Sequence, residues 1–326
     1  MATTSQLPTS FTLNNNEIVP AVGLGTFQGD DGNSKVEKVV LNALLNGYRH
    51  IDGATAYGNE KDIGEAIKKS GIPRSEIYVT TKLAQSWHEP SDVEEALNQS
   101  LKALGLEYVD LYLMHFPHAY LPGPKNSTIR HPSGNGKPVI DYERSRKYPE
   151  TWQAMEKLVD SGKAKSIGLS NFNILKTKRI LEIARIKPAH DLLKFYKEQN
   201  LHLMAHQPLG GKPVGVVAAH PDKPGPLFDS KIAQITNMTG MTAAQAILSW
   251  AVQRGTSVVP KTVQTHRLTE NLCLSALSDE HFQIINTLTE HLDSGPLRYL
   301  NPSKHLGFDI FSEEADEPVT NGAPWD

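Results

Sequence analysis

One cysteine, Cys273, is all that the 326 residues contain. An internal disulfide is thereby excluded, and the thiol suits a reducing compartment. Lysine and arginine (33) nearly balance aspartate and glutamate (36), for a net charge of −3. That balance points to neither a nucleic acid nor a charged membrane surface as a partner. No window approaches about eighteen uncharged apolar residues, so no membrane-spanning helix is expected. The opening "MATTSQLPTS" lacks the apolar stretch of a secretory leader, and a cytoplasmic protein is the expectation. There is no internal repeat longer than a strand–helix unit. The hydrophobic share of 39% and charged share of 21% are those of an ordinary globular chain. The length admits two domains or one large α/β barrel, and a single barrel domain over residues 1–326 is expected.

Apolar runs rich in Val, Ile, Leu and Tyr recur: "IVPAVGLGT", "YRHIDGA", "IYVTTKL", "VDLYLMHF", "KSIGLSNF", "LHLMAHQPL" and "TSVVPKT". They show little apolar/polar alternation, which suits strands covered on both faces of a parallel sheet. Between them, "KVEKVVLNALLNG", "NEKDIGEAIKKSG", "DVEEALNQSLKALG" and "ETWQAMEKLVDSG" each carry a helical pattern that stops at glycine. Strand–helix alternation sustained over most of the chain predicts the α/β class and a (β/α)8 TIM-type barrel. Two interruptions, 117–149 and 209–228, follow strands and precede helices, where such barrels place their active-site loops. The tail from about Asp293 ends in the acidic run "SEEADE", most simply a solvated one. A doubly wound dinucleotide fold is the rival, since "GLGTFQG" (23–29) follows a strand and Asp52 lies beyond it. Its glycines have the wrong spacing for the pyrophosphate fingerprint, and a glycine-marked strand end is the better reading.

Asp52, Lys82 and His115 end three successive predicted strands, and Tyr57 follows the first of them by five residues. In a parallel barrel the strand C-termini converge on one mouth, so these side chains can meet. A phenol with a pKa near ~10 donates protons poorly at neutral pH. A neighbouring ammonium should lower that pKa, a carboxylate should hold the ammonium in place, and an imidazole could hydrogen-bond the oxygen receiving the proton. Each residue alone has a plainer reading: a buried salt bridge, a rim aromatic, a core histidine. Together they describe a site where a carbonyl takes hydride on carbon and a proton on oxygen. Lys261 and Arg267 flank the start of a predicted helix in "PKTVQTHRLTEN", with Thr262 between strand and helix. This setting suits a phosphate dianion, and two solvated surface cations are the alternative. "SNFN" (170–173) is first of all a helix N-cap signal.

The motifs "GYRHIDGATAYGNEKDIGEAI", "VTTKL", "VDLYLMHFP", "KSIGLSNF", "AHQPLGG" and "VVPKTVQTHRLTEN" together resemble the aldo-keto reductase superfamily, in particular its fungal members, over nearly the whole chain. The resemblance implies a (β/α)8 barrel that reduces aldehydes and ketones with NADPH and without a metal. On it, Asp52, Tyr57, Lys82 and His115 match the catalytic tetrad, with Tyr57 as general acid. Histidine at 115 favours carbonyl over double-bond reduction. Lys261, Thr262 and Arg267 match contacts to the adenosine 2′-phosphate, and Glu270 and Asn271 contacts to adenine, so NADP is expected over NAD. Ser170 and Asn171 match contacts to the nicotinamide carboxamide. His206 stands where many members stack a tyrosine on the nicotinamide. Gly25, Thr26 and Leu209 are further cofactor-side candidates, and Trp87, His118 and Tyr120 are candidate substrate walls. Gly25 and Thr26 are equally explained by a turn, and Trp87 by loop packing. The implied partner is a small carbonyl substrate, and the implied state a monomer or weak oligomer.

One stretch departs from that pattern. In "ARIKPAHDLLKFYKEQN" (184–200) two helices follow each other with no strand between them, and about a dozen residues are absent, the span of a strand and its loop. Seven strands are recognisable where the barrel needs eight, so a barrel incomplete or rearranged at its sixth strand is expected. "RIKPAH" as a surrogate strand, closure by seven strands, and filling by another segment or subunit are all open repairs. A missing strand also takes away the glutamine that holds the nicotinamide carboxamide in the family. A non-reducing relative, binding or redox-neutral, is therefore the alternative to a reductase.

Overall fold

Glycine stops the helices where the sequence predicts. Gly47, Gly71, Gly105 and Gly162 all take the left-handed conformation, with φ between 67° and 99°. A computed structural model of the chain describes residues 6–28, 33–134, 136–188, 193–210, 225–291, 303–306 and 308–311. The run "IVPAVGLGT" divides into two elements. Strands β1 (Ser10–Thr12) and β2 (Ile18–Pro20) pair as an antiparallel hairpin, and the chain re-enters as β3 (Leu24–Gly25). Proline, with no ladder donor, ends the hairpin strand. β3, β4 (His50–Asp52), β5 (Tyr78–Leu83) and β6 (Val109–Met114) follow as parallel neighbours. In the first long interruption β7 (Ala119–Tyr120) and β8 (Ile140–Asp141) form a short antiparallel ribbon. β9 (Ala164–Leu169) then pairs parallel with β6. β10 (Leu203–His206) and β11 (Thr256–Val259) pair parallel with each other, and a Val22–Val258 bridge joins β11 to the β3 edge. Seven strands thus run in the order β10, β11, β3, β4, β5, β6, β9.

Helices α1 (Val36–Leu45), α2 (Glu60–Ser70) and α3 (Val93–Leu104) follow β3, β4 and β5. The short α4 (Tyr142–Arg146) and the longer α5 (Tyr148–Asp160) lead into β9. The main core lies between these helices and the sheet, with Val40, Leu44, Ile63, Leu97 and Trp152 facing strand residues Ile51, Val79 and Tyr112. Each such leucine or isoleucine, fully buried, contributes about 1.5–3 kcal/mol. A second cluster joins the hairpin, through Leu13 and Val19, to Tyr78, Leu111 and Leu113 of the strands. After β9 come α6 (Ile174–Ile183) and α7 (Leu193–Glu198), and after β10 come α8 (Ser230–Thr239) and α9 (Ala243–Gln253). α10 (Thr265–Leu272), α11 (Asp279–Asn286) and α12 (Ser303–Leu306) complete the described elements.

The eight-stranded closed barrel is not formed among the described residues. β9 and β10 are edge strands there, with α6 and α7 in succession between them. The surrogate strand proposed at "RIKPAH" is not present over 185–188. The Ile186 amide donates to Glu156 Oε1 (2.8 Å) and the Pro188 carbonyl accepts from Asn14 Nδ2 (3.0 Å), so side chains take the place of a ladder. Asn15 Nδ2 likewise donates to the Lys165 carbonyl (3.1 Å) and to Ser166 Oγ (2.9 Å), tying the hairpin turn to β9. Residues 189–192, 211–224 and the acidic run 312–317 lie outside the described residues.

α2 and α3 approach so closely that a Cβ on Gly64 would lie 2.2 Å from the Leu104 carbonyl oxygen. Overpacking of this kind costs about 1–3 kcal/mol. Gly64→Ala is expected to lower stability by that amount in urea denaturation, and an unchanged midpoint would mean the two helices stand further apart.

Candidate active site

The strand ends gather one cluster. Asp52 is the last residue of β4, Lys82 lies in β5, and His115 follows β6. Tyr57 closes a single 3-10 turn, Thr55–Tyr57, just beyond β4. Thr55 fixes that turn by donating its hydroxyl to the Lys82 carbonyl (3.0 Å). Lys82 Nζ donates to Asp52 Oδ1 (2.7 Å) and to the Gly53 carbonyl (2.7 Å), and lies 5.1 Å from the Tyr57 ring centroid. The Tyr57 and His115 rings meet edge to face with centroids 5.6 Å apart. All four residues line one cavity of about 270 Å³, as do Gly25, Thr26, Ser170, Asn171, His206 and Lys261. A larger hollow, about 1160 Å³, lies far from this chemistry on the outer face between α2 and α3.

Burial and charge set the protonation states. Desolvation works to discharge Lys82, but Asp52 and then the phenol more than offset it, and the ammonium is held above its usual range. Burial pushes the Tyr57 phenol up, with Lys82 pulling it part of the way back. The expected net lowering by the ammonium is therefore reversed, because desolvation of the ring outweighs the charge. At neutral pH the phenol keeps its proton. His115 is held well below its usual value, first by burial and then by Lys82, so its imidazole is neutral.

The remaining candidates divide. Thr26 is buried and donates both its amide (3.1 Å) and its hydroxyl (2.9 Å) to the Asp52 carbonyl, bracing the carboxylate's strand. Gly25 sits so near β11 that a Cβ would lie 2.7 Å from the Val259 carbonyl oxygen. Asn171 takes a left-handed backbone (φ 61°) and donates its amide to the His115 carbonyl (2.8 Å) and to Ser170 Oγ (3.1 Å). Lys261 faces the cavity, and burial and then Lys35 lower its pKa. Thr262 is buried and accepts from the Gln264 amide (3.1 Å), while Arg267 is exposed on α10. Glu270 is half-buried on the same helix, its carbonyl accepting from Gln245 (3.4 Å).

Eight candidates stand away from the cavity lining: Thr262, Arg267 and Glu270, and with them Asn271, Leu209, Trp87, His118 and Tyr120. Asn271 is buried against the Tyr48 hydroxyl rather than turned outward. Leu209 packs into two apolar clusters beside α8 and α9, and Trp87 into the main core. His118 lies buried among Phe116, Tyr120 and Phe308, with centroids 5.2–5.9 Å away, and Gln85 Nε2 donates to the Tyr120 hydroxyl (3.2 Å). Sequence reasoning missed Phe27, Phe116 and Gln207, which also line the cavity. Phe27 and Phe116 each directly follow a flagged residue, and that adjacency was the available signal.

The sequence pattern of the Aldo/keto reductase family matches residues 21–290. The chain belongs to the aldo/keto reductase family. This aldo/keto reductase is 39% identical over 293 residues to an uncharacterized oxidoreductase of Schizosaccharomyces pombe, covering 85% of this chain and 86% of that protein. It is 37% identical over 309 residues to the glycerol 2-dehydrogenase (NADP(+)) of Saccharomyces cerevisiae (89% and 93%). It is 38% identical over 308 residues to aldo-keto reductase family 1 member A1-A of Danio rerio (86% and 90%). The protein is an oxidoreductase. The family's architecture is a (β/α)8 barrel, of which this aldo/keto reductase shows seven parallel strands among its described residues.

With both partners nearly buried, at 6% and 7% side-chain exposure, removing one strands the other. Lys82→Met is expected to cost about 3–5 kcal/mol. The Asp52→Asn/Lys82→Met double variant should regain most of it in chemical denaturation. Equal stability of the single and double variants would show that the pair is not coupled.

Proposed function

We propose that this protein reduces an aldehyde or ketone to an alcohol with NADPH, with Tyr57 as the proton donor. The observation that carries the reading is the Lys82 ammonium, fixed by Asp52 at 2.7 Å and set 5.1 Å from the Tyr57 ring, beside a neutral His115. NADPH, when bound, supplies the hydride.

The residues present fit such a cofactor. Lys35 stands close enough to Lys261 to lower its pKa, after burial, and neither has an acidic partner among the described residues. Two uncompensated cations at the rim of a cleft are the donor set a phosphate needs. With Thr262 and the exposed Arg267 they would hold a 2′-phosphate, which favours NADP. The glycerol 2-dehydrogenase (NADP(+)) relative supports the same choice. Asn171, its amide already given to His115 and Ser170, would offer its carbonyl oxygen to a carboxamide, and His206 lines the same cavity.

The chain's own chemistry follows from these positions. His115, kept neutral, can donate one N–H to the carbonyl oxygen and orient it. Tyr57 holds the proton that oxygen receives. The Lys82 ammonium beside it stabilises the phenolate left behind, and Asp52 keeps the ammonium charged and placed. Phe27 and Phe116 exclude water from the same space.

The measurement is the loss of NADPH absorbance with a panel of aldehydes and ketones. Turnover with at least one of them, and none with NADH at equal concentration, is expected. Cofactor binding seen by tryptophan fluorescence, without turnover of any carbonyl, would favour the non-reducing alternative, since β9 and β10 share no ladder among the described residues.

A further inference from the structure

Where no strand joins β9 to β10 among the described residues there is a second chamber. It spans the seam between β9 and β10, with a volume of about 280 Å³. It adjoins the catalytic cavity and shares Asp52, Lys82, Ser170, Asn171, His206 and Val259 with it, and these form its wall on that side. Its opposite end is formed by Arg254, Leu203 and Thr256, at the start of the β10–β11 pair. Three residue steps along β10 separate those ends, about 10 Å at strand rise.

Two polar groups at that far end have no partner among the described residues. The Arg254 Nε is buried without a hydrogen bond, its guanidinium stacked 4.3 Å from the Trp250 ring, and no carboxylate pairs with it. The Thr256 hydroxyl, on a residue only 4% exposed, is also buried and unbonded. Buried polar atoms are almost always satisfied, so two orphans on one wall ask for a ligand. The charges say which sign. Asp52 is already matched by Lys82, which leaves the Arg254 guanidinium as the uncompensated charge. Leu169, Leu203, Met204 and Phe311 make the rest of the lining largely apolar.

We propose that this seam chamber binds an aliphatic monocarboxylate. Its carboxylate accepts from Arg254 and from the Thr256 hydroxyl, and its chain lies along β10 toward Lys82. A guanidinium fork matches a planar carboxylate in two parallel hydrogen bonds, and a single uncompensated cation suits a monoanion better than a phosphate dianion. The binding claim is independent of any reductase activity.

The test is calorimetric titration of the full-length protein with acetate, butanoate and hexanoate at constant ionic strength, with inorganic phosphate as competitor. Saturable binding is expected, tightening about fourfold for each methylene buried. Arg254→Gln should weaken hexanoate at least about tenfold, as loss of a charged hydrogen bond does, and Thr256→Val about two- to tenfold. Phosphate should not displace hexanoate. Thr256→Val is nearly isosteric and carries the test if Arg254→Gln fails to fold. No saturable binding would mean that water alone fills the chamber. That result overturns the proposal, as would affinity independent of chain length, displacement by phosphate, or hexanoate binding unchanged in the variants.

Discussion

The Asp52–Lys82 ion pair governs the site. Two charges taken out of water together are costly unless each is fully hydrogen-bonded, and here the ammonium has both a carboxylate and the Gly53 carbonyl. The surroundings are built to keep it so. Thr26 holds the strand end that carries Asp52, and Thr55 holds the strand that carries Lys82 to the turn that delivers Tyr57. In this frame the phenol and the imidazole need no charge of their own. Burial keeps Tyr57 protonated and His115 neutral, and in the proposed reduction the lysine would supply the field that eases proton release from the phenol.

The seam between β9 and β10 lies on the other side of that pair. An open edge normally invites pairing with another chain. The neighbourhood of this one is held by side chains instead: Asn14 and Asn15 reach from the hairpin turn, and Glu156 reaches from α5. Those bonds tie β9 and the segment after α6 to the rest of the structure without restoring a ladder. The same lysine and aspartate thus line both the proposed catalytic cavity and the adjoining chamber with its orphaned arginine.

Much of this was legible in the sequence, for identifiable reasons. The helix ends were marked by glycines whose conformation other residues avoid, and Asp52, Lys82 and His115 were marked by their places at the ends of apolar runs. The missing strand showed as two helical patterns in succession. Other features depend on three-dimensional packing that no local pattern carries. "IVPAVGLGT" reads as one strand, and only the pairing of β1 with β2 divides it. Asn271 looks like a helix-surface contact until Tyr48, more than two hundred residues earlier, takes its side chain. The net rise of the Tyr57 pKa depends on how much of the ring is desolvated, and the sequence showed only the nearby lysine. Arg254 and Thr256 carry no motif, and their unmet bonds appear only once the seam is seen.

The account stands on Tyr57 as the donor of the proton. The most direct measurement is a single-turnover comparison of Tyr57→Phe with the parent protein on an aldehyde, alongside NADPH titration of both by fluorescence. The account predicts unchanged cofactor affinity with hydride transfer slowed by about 10²–10⁴-fold, the usual contribution of a positioned acid. Hydride transfer at the parent rate in Tyr57→Phe would contradict it.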